Sequence, residues 1–145
     1  MLGMTRKSPL LPALLAAGLL AGCASMAPMV GGQRLALSGA EEVPPVTTAA
    51  SGTAVVNIKP DRSVSATVTV SGMTATASHI HEAAAGANGP VIVPFTKTGD
   101  NTFASAPEAK LTEAQYQAYK QGKLYVNVHS AKDPGGEVRA QLKGN

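Results

Sequence analysis

Aromatic residues are scarce in this sequence. There is no tryptophan, and there are only three tyrosines and two phenylalanines. A hydrophobic core must therefore be built from valine, alanine, leucine and isoleucine. Charged residues are also few, at 14%, and no cluster of lysine and arginine follows residue 22, so nothing indicates a nucleic-acid partner. With 145 residues, the chain has room for one domain.

Cysteine is nearly absent as well, because Cys23 is the only one, which excludes a disulfide within the chain. Two basic residues, Arg6 and Lys7, precede an apolar stretch from Leu10 to Leu20 that is too short to span a membrane as a mature helix. The small residues that follow resemble the bacterial lipobox, as Leu20-Ala21-Gly22-Cys23. The sequence therefore predicts a lipoprotein signal peptide over residues 1–22 and lipid attachment at Cys23.

Lipidation at Cys23 implies membrane contact through that lipid and a place in the cell envelope, facing the periplasm or the exterior. By resemblance to lipoprotein sorting rules, the non-acidic Ala24 favours an outer membrane where the cell has one. Residues 23–33 contain proline and glycine without apolar periodicity and predict a tether. Of the 12 basic residues, two lie in the signal peptide, which leaves 10 against 9 acidic ones, a net charge of +1.

Residues 34–145 show short apolar segments between turn signals. Ser63 to Val70 alternates valine or alanine with serine or threonine, which predicts a half-buried strand paired with Thr53 to Ile58. Thr112 and Gln115 match the capping box of one short helix. Further strands are predicted over 34–37, 77–82, 91–95, 102–106, 124–128 and 137–142. The fold class expected from this spacing is all-β, an antiparallel Greek-key-type β-sandwich with one short helix.

All three histidines fall on two predicted strands. His79 and His81 are two residues apart, so their side chains share a strand face, with Cα atoms roughly 6.5 Å apart. His129 ends a later strand, on the face of Tyr125 and Asn127. Three imidazoles with an open position suit copper or zinc, and affinity favours Cu(II). The pattern predicts a metal site of His79, His81 and His129.

A second interpretation keeps these histidines structural, in a polar network with partners such as Asn127 and Glu137. The protein would then be an extracytoplasmic interaction module, although the sequence identifies no protein partner. No serine or thiol is paired with a histidine by spacing, and we therefore assign no catalytic residue. Binding is favoured over catalysis.

Several motifs follow one another in the order found in the CHRD domain, and the sequence from Leu37 onward resembles that family. The matching runs are Leu-Ser-Gly-Ala-Glu-Glu-Val-Pro-Pro from Leu37, His79-Ile80-His81, Gly-Ala-Asn-Gly-Pro-Val from Gly86, Leu-Thr-Glu-Ala-Gln from Leu111, Tyr-Val-Asn-Val-His-Ser from Tyr125, and Pro-Gly-Gly-Glu-Val-Arg from Pro134. The resemblance implies a sandwich-type fold over residues 34–145.

The run His79-Ile80-His81-Glu82 is also similar to the copper strand of Cu/Zn superoxide dismutase. That resemblance implies copper ligation by His79, His81 and His129 and a redox enzyme as a further alternative. The bridging histidine, the zinc ligands and the paired cysteines have no counterpart here. Glu137 follows Gly135-Gly136 where the enzyme has an arginine, and Arg139 could point the same way. Asn127, Glu137 and Arg139 are the residues expected to support the ligands.

Overall fold

A computed structural model describes residues 31–144 of the chain, which form eight strands and one helix. The predicted signal peptide, the predicted lipid-attachment residue Cys23 and most of the predicted tether lie outside these residues. The strands are β1 Gln33–Ser38, β2 Ser51–Ile58, β3 Val64–Ser71, β4 Ala75–Glu82, β5 Val91–Gly99, β6 Thr102–Ser105, β7 Leu124–Ser130 and β8 Val138–Gln141, and helix α1 is Glu113–Lys120.

The eight strands form one closed antiparallel barrel in the order β1-β2-β3-β6-β5-β4-β7-β8. The all-β class with one short helix is confirmed, but the predicted sandwich is wrong, because β8 returns to β1 through the pairing of Ser38 with Arg139. Alternation along a strand shows which face is buried, and this holds equally for a barrel and a sandwich. Closure depends on pairing between the two ends of the domain, which local patterns do not encode.

The barrel interior is almost entirely aliphatic, as the composition predicts. On β3, the four residues Val64, Ala66, Val68 and Val70 are each at most 5% exposed, which confirms the predicted face. The hairpin with β2 is also confirmed, with Val56 opposite Ala66 and Ala54 opposite Val68. Two aromatic rings, those of Phe103 and Tyr119, join this core.

Helix α1 begins at the predicted capping box. The backbone amide of Gln115 donates to Thr112 Oγ1, and the backbone amide of Thr112 donates to Gln115 Oε1. Tyr119 is buried and Tyr116 packs against the core, so both tyrosines are core contacts, as expected. No helix among residues 31–144 has the length and apolar character needed to cross a membrane.

Strand β7 is buried on both faces. Leu124, Val126 and Val128 belong to the interior core, whereas Tyr125 and Asn127 point outward and are still only 2% exposed. Two loops cover this outer side, namely the segment 39–50 after β1 and the segment 83–90 after β4. The outward-facing side chains of β4, β7 and β8, here called the polar layer, therefore form a buried polar sheet between barrel and loops.

Candidate metal centre

The register of β4 and β7 brings the three histidines together. His79 lies opposite Asn127, and His129 lies opposite Ala77, so His129 is diagonal to His79 on the same face. The ring centroids are 4.9 Å apart for His79 and His129, 5.5 Å for His79 and His81, and 6.0 Å for His81 and His129. One nitrogen from each ring lies within 4.8 Å of the others. The predicted convergence is confirmed.

Two backbone carbonyls fix the orientation of two of these rings. His81 Nδ1 lies 2.9 Å from the Gly89 carbonyl oxygen, and His129 Nδ1 lies 2.9 Å from that of Pro134. A carbonyl can only accept, so each Nδ1 carries the proton and each Nε2 keeps a free lone pair. His81 Nε2 is buried and has no hydrogen-bond partner among residues 31–144, and it is therefore available as a metal ligand.

The third ring, that of His79, would contribute its Nδ1 nitrogen rather than Nε2. His79 Nδ1 lies 3.0 Å from His129 Nε2, and because that Nε2 is an acceptor, Nδ1 of His79 donates the proton in this arrangement. Metal binding would require this proton to move to Nε2 of His79. The ligand set is then Nδ1 of His79 with Nε2 of His81 and His129.

The spacing of these nitrogens fits a single first-row metal ion. Ligands at about 2.0–2.1 Å from one ion lie ~2.9 Å apart at a right angle and ~3.3 Å apart in a tetrahedron. The separation of 3.0 Å between His79 and His129 already falls in this range. The remaining separations are at most 4.8 Å, so a tetrahedral or right-angled set would require the rings to approach one another by up to roughly 1.5–2 Å.

Burial also keeps the ligands in the neutral form that a metal requires. Burial, followed by the charges of His129 and His81, lowers the pKa of His79 to about 4. Burial likewise lowers the pKa of His81 below its ordinary value. Both rings are therefore uncharged near neutral pH. A metal ion binding to them would not have to displace the extra proton of a charged imidazole.

A stack of three planar groups supports His81. The ring of Tyr125 lies parallel to the His81 ring, with centroids 4.8 Å apart and an interplanar angle of 8°. The guanidinium of Arg139 lies 3.4 Å from the centre of the same tyrosine ring. Sequence reasoning placed Tyr125 on the face of His129 but gave it no role, because stacking across strands depends on the register.

Arg139 holds the loop that carries the Gly89 carbonyl. It donates to Ala87 O at 2.9 Å and to Asn88 Oδ1 at 3.2 Å, and it is 1% exposed. Arg139 therefore does lie on the outward face, as expected, but its charge is covered by the loop and cannot meet an ion arriving from solvent. Gly89 itself is required, because a Cβ there would collide with the carbonyl oxygen of Glu82.

The other two expected supporting residues take different positions. Asn127 lies at the centre of the polar layer, and its Oδ1 has no hydrogen-bond partner among residues 31–144. Glu137 accepts a bond from Thr48 Oγ1 at 2.6 Å and so anchors the loop after β1. Burial raises the pKa of Glu137, but hydrogen bonds from Ser130 and Thr48 outweigh this and hold it below its ordinary value.

These observations define a small closed β-barrel with a partly buried cluster of three histidines on its outer face. The family model of the CHRD domain matches residues 34–142. The chain therefore belongs to the CHRD domain family, and the resemblance found in the sequence is confirmed. Comparison with curated proteins and with solved structures gave no match.

Proposed function

We propose that this protein binds a metal ion, with copper favoured, through His79, His81 and His129. The observation that carries the proposal is the convergence of one nitrogen from each ring within 4.8 Å. The bonds from Nδ1 of His81 and His129 to backbone carbonyls support it, because such partners orient ligating histidines in metal sites and fix their tautomer.

The ligand type favours copper over zinc as the ion. The set consists of three imidazole nitrogens, which suit both ions. Imidazole sites bind Cu(II) more tightly than Zn²⁺, and zinc remains the alternative ion.

Metal analysis of the tag-free protein tests this proposal. Equilibrium dialysis against a small excess of copper should give one ion per chain in the wild type. His79→Ala, His81→Ala and His129→Ala should each lose tight binding, because two imidazoles leave the site incomplete. Thr67→Ala, an exposed change on β3, serves as the control and should bind like the wild type.

The interaction-module alternative predicts a different result from the same variants. The bond between His79 and His129 and the bond from His129 to Pro134 O would then serve stability alone. Each alanine variant would melt at a lower temperature, while copper uptake would stay at background in all forms, the wild type included. That outcome would refute the metal proposal and favour histidines with a purely structural role.

We further propose that the protein is exported and anchored to a membrane of the cell envelope by lipid on Cys23. The basic residues, the short apolar stretch and the run Leu20-Ala21-Gly22-Cys23 support this. Growth with a clickable fatty acid should label the wild type and a Ser25→Ala control but not Cys23→Ser. Equal labelling of Cys23→Ser would refute attachment at this residue.

A further inference from the structure

One buried acid lies beside the candidate metal centre without belonging to it. Glu42 follows the short 3₁₀ turn Gly39–Glu41 in the loop that covers the polar layer, and it is 5% exposed. Its Oε1 has no hydrogen-bond partner among residues 31–144. A buried carboxyl with an unpaired oxygen is costly when charged, so its presence here requires an explanation.

Glu42 approaches Asn127, a residue of β7, the strand that also carries His129. A Cβ built on Gly136 would lie 2.5 Å from Glu42 Oε1 and 2.6 Å from Asn127 Nδ2, so the carboxyl and the amide converge on the same point over this glycine. Asn127 in turn lies opposite His79 in the strand register and two residues from His129. The carboxyl of Glu42 therefore faces the site across Asn127.

The charges around Glu42 do not compensate a carboxylate. Arg139 on β8 attracts it and Asp133 in the turn before β8 repels it. Glu137 is engaged by Thr48, and the neighbouring Glu41 is exposed. Among the described residues, no ion pair within 4.0 Å includes Glu42.

Burial dominates this balance. It raises the pKa of Glu42 to about 7, although Arg139 and Asn127 offset part of the effect. The carboxyl is therefore partly protonated near neutral pH. A metal cation bound at the histidine cluster would supply the positive charge that the carboxylate of Glu42 lacks.

We propose that Glu42 releases its proton when the three-histidine cluster takes up a divalent metal ion, and that its carboxylate then partly neutralises the bound charge. This inference rests on the metal-binding function proposed above. Three neutral imidazoles leave the full charge of the ion uncompensated, and a buried carboxylate is screened little by salt. In this step one proton passes from Glu42 to solvent, and Glu42 forms no bond to the metal.

Proton release can be counted by titration calorimetry of the full-length chain with copper(II) chloride and with zinc(II) chloride, in buffers of different ionisation enthalpy. Compared with Glu42→Gln, the wild type should release about half a proton more per ion at pH 7 and about 0.9 more at pH 6, values that follow from a pKa of about 7. Glu41→Gln, which removes the exposed neighbouring acid, should match the wild type.

An infrared difference spectrum gives a second readout. The metal-free wild type at pH 6 should show the carbonyl band of a protonated carboxyl, which zinc(II) should remove and which Glu42→Gln should lack. Equal proton release by wild type and a folded Glu42→Gln protein, with both binding metal, would overturn the role of Glu42 and leave the metal site standing. Absence of metal binding in the wild type would instead overturn the proposed function, and the role of Glu42 with it.

Discussion

Replacing Arg139 by leucine should destabilise the domain by about 3–6 kcal/mol. The guanidinium donates to the loop at Ala87 O and Asn88 Oδ1, and such charged hydrogen bonds contribute about 1.5–3 kcal/mol each. Its contact with the Tyr125 ring at 3.4 Å adds ~2 kcal/mol when desolvated. Burying a leucine in place of a charge returns roughly 2 kcal/mol of this loss.

Thermal unfolding of the metal-free protein, followed by circular dichroism, measures the effect. For a domain of this size, 3–6 kcal/mol corresponds to a fall in Tm of roughly 12–25 °C. Arg34→Leu is the matched control, because Arg34 is exposed on β1, and it should change stability by no more than about 0.5 kcal/mol. A loss below about 1 kcal/mol for Arg139→Leu would refute the reasoning that the stack and the loop bonds hold the polar layer together.

Other predictions concern the core and the pH dependence of the metal-free protein. Val68→Asp, at a position 1% exposed, should cost several kcal/mol by burying an unpaired carboxylate, and an unchanged Tm would contradict the barrel interior described here. Because the pKa of His79 is lowered to about 4, the unfolded chain binds more protons than the folded one below about pH 6.5. The contribution of His79 to the unfolding free energy should therefore fall as the pH drops from 6.5 towards 4, so the wild type should lose stability relative to His79→Gln over this range in a denaturant series. The pKa of Glu42, raised to about 7, acts in the opposite direction. The contribution of Glu42 should fall as the pH rises from 4.5 to 7, by at most about 3 kcal/mol, and a constant difference in unfolding free energy between the wild type and Glu42→Gln over this range would contradict this assignment.

Local patterns predicted much of the fold. The alternation of β3 gave the correct buried face, and the capping box at Thr112 and Gln115 gave the correct helix start. Strand β5 runs to Gly99 instead of ending at Phe95, because its second half is exposed and is held by pairing with β6 rather than by burial. Such pairing leaves no trace of alternation in the sequence.

The residues of the candidate site, like the strands, were predicted only in part. Spacing and resemblance identified His79, His81 and His129, because an alternating strand places residues i and i+2 on one face. Neither could identify Glu42 or the Gly89 carbonyl, since both reach the site through loops. The contact of Glu42 with Asn127 joins residues 85 positions apart in the sequence, and only the closed barrel brings them together.

The pairing of Ser38 with Arg139 joins the two ends of the domain. The three histidines come from β4 and β7, whereas Arg139, which holds the loop that supports His81, lies on the closing strand β8. A chain that has paired β4 with β7 but has not yet added β8 would therefore have its three histidines without the loop that orients them, and the oriented cluster would form only when the barrel closes.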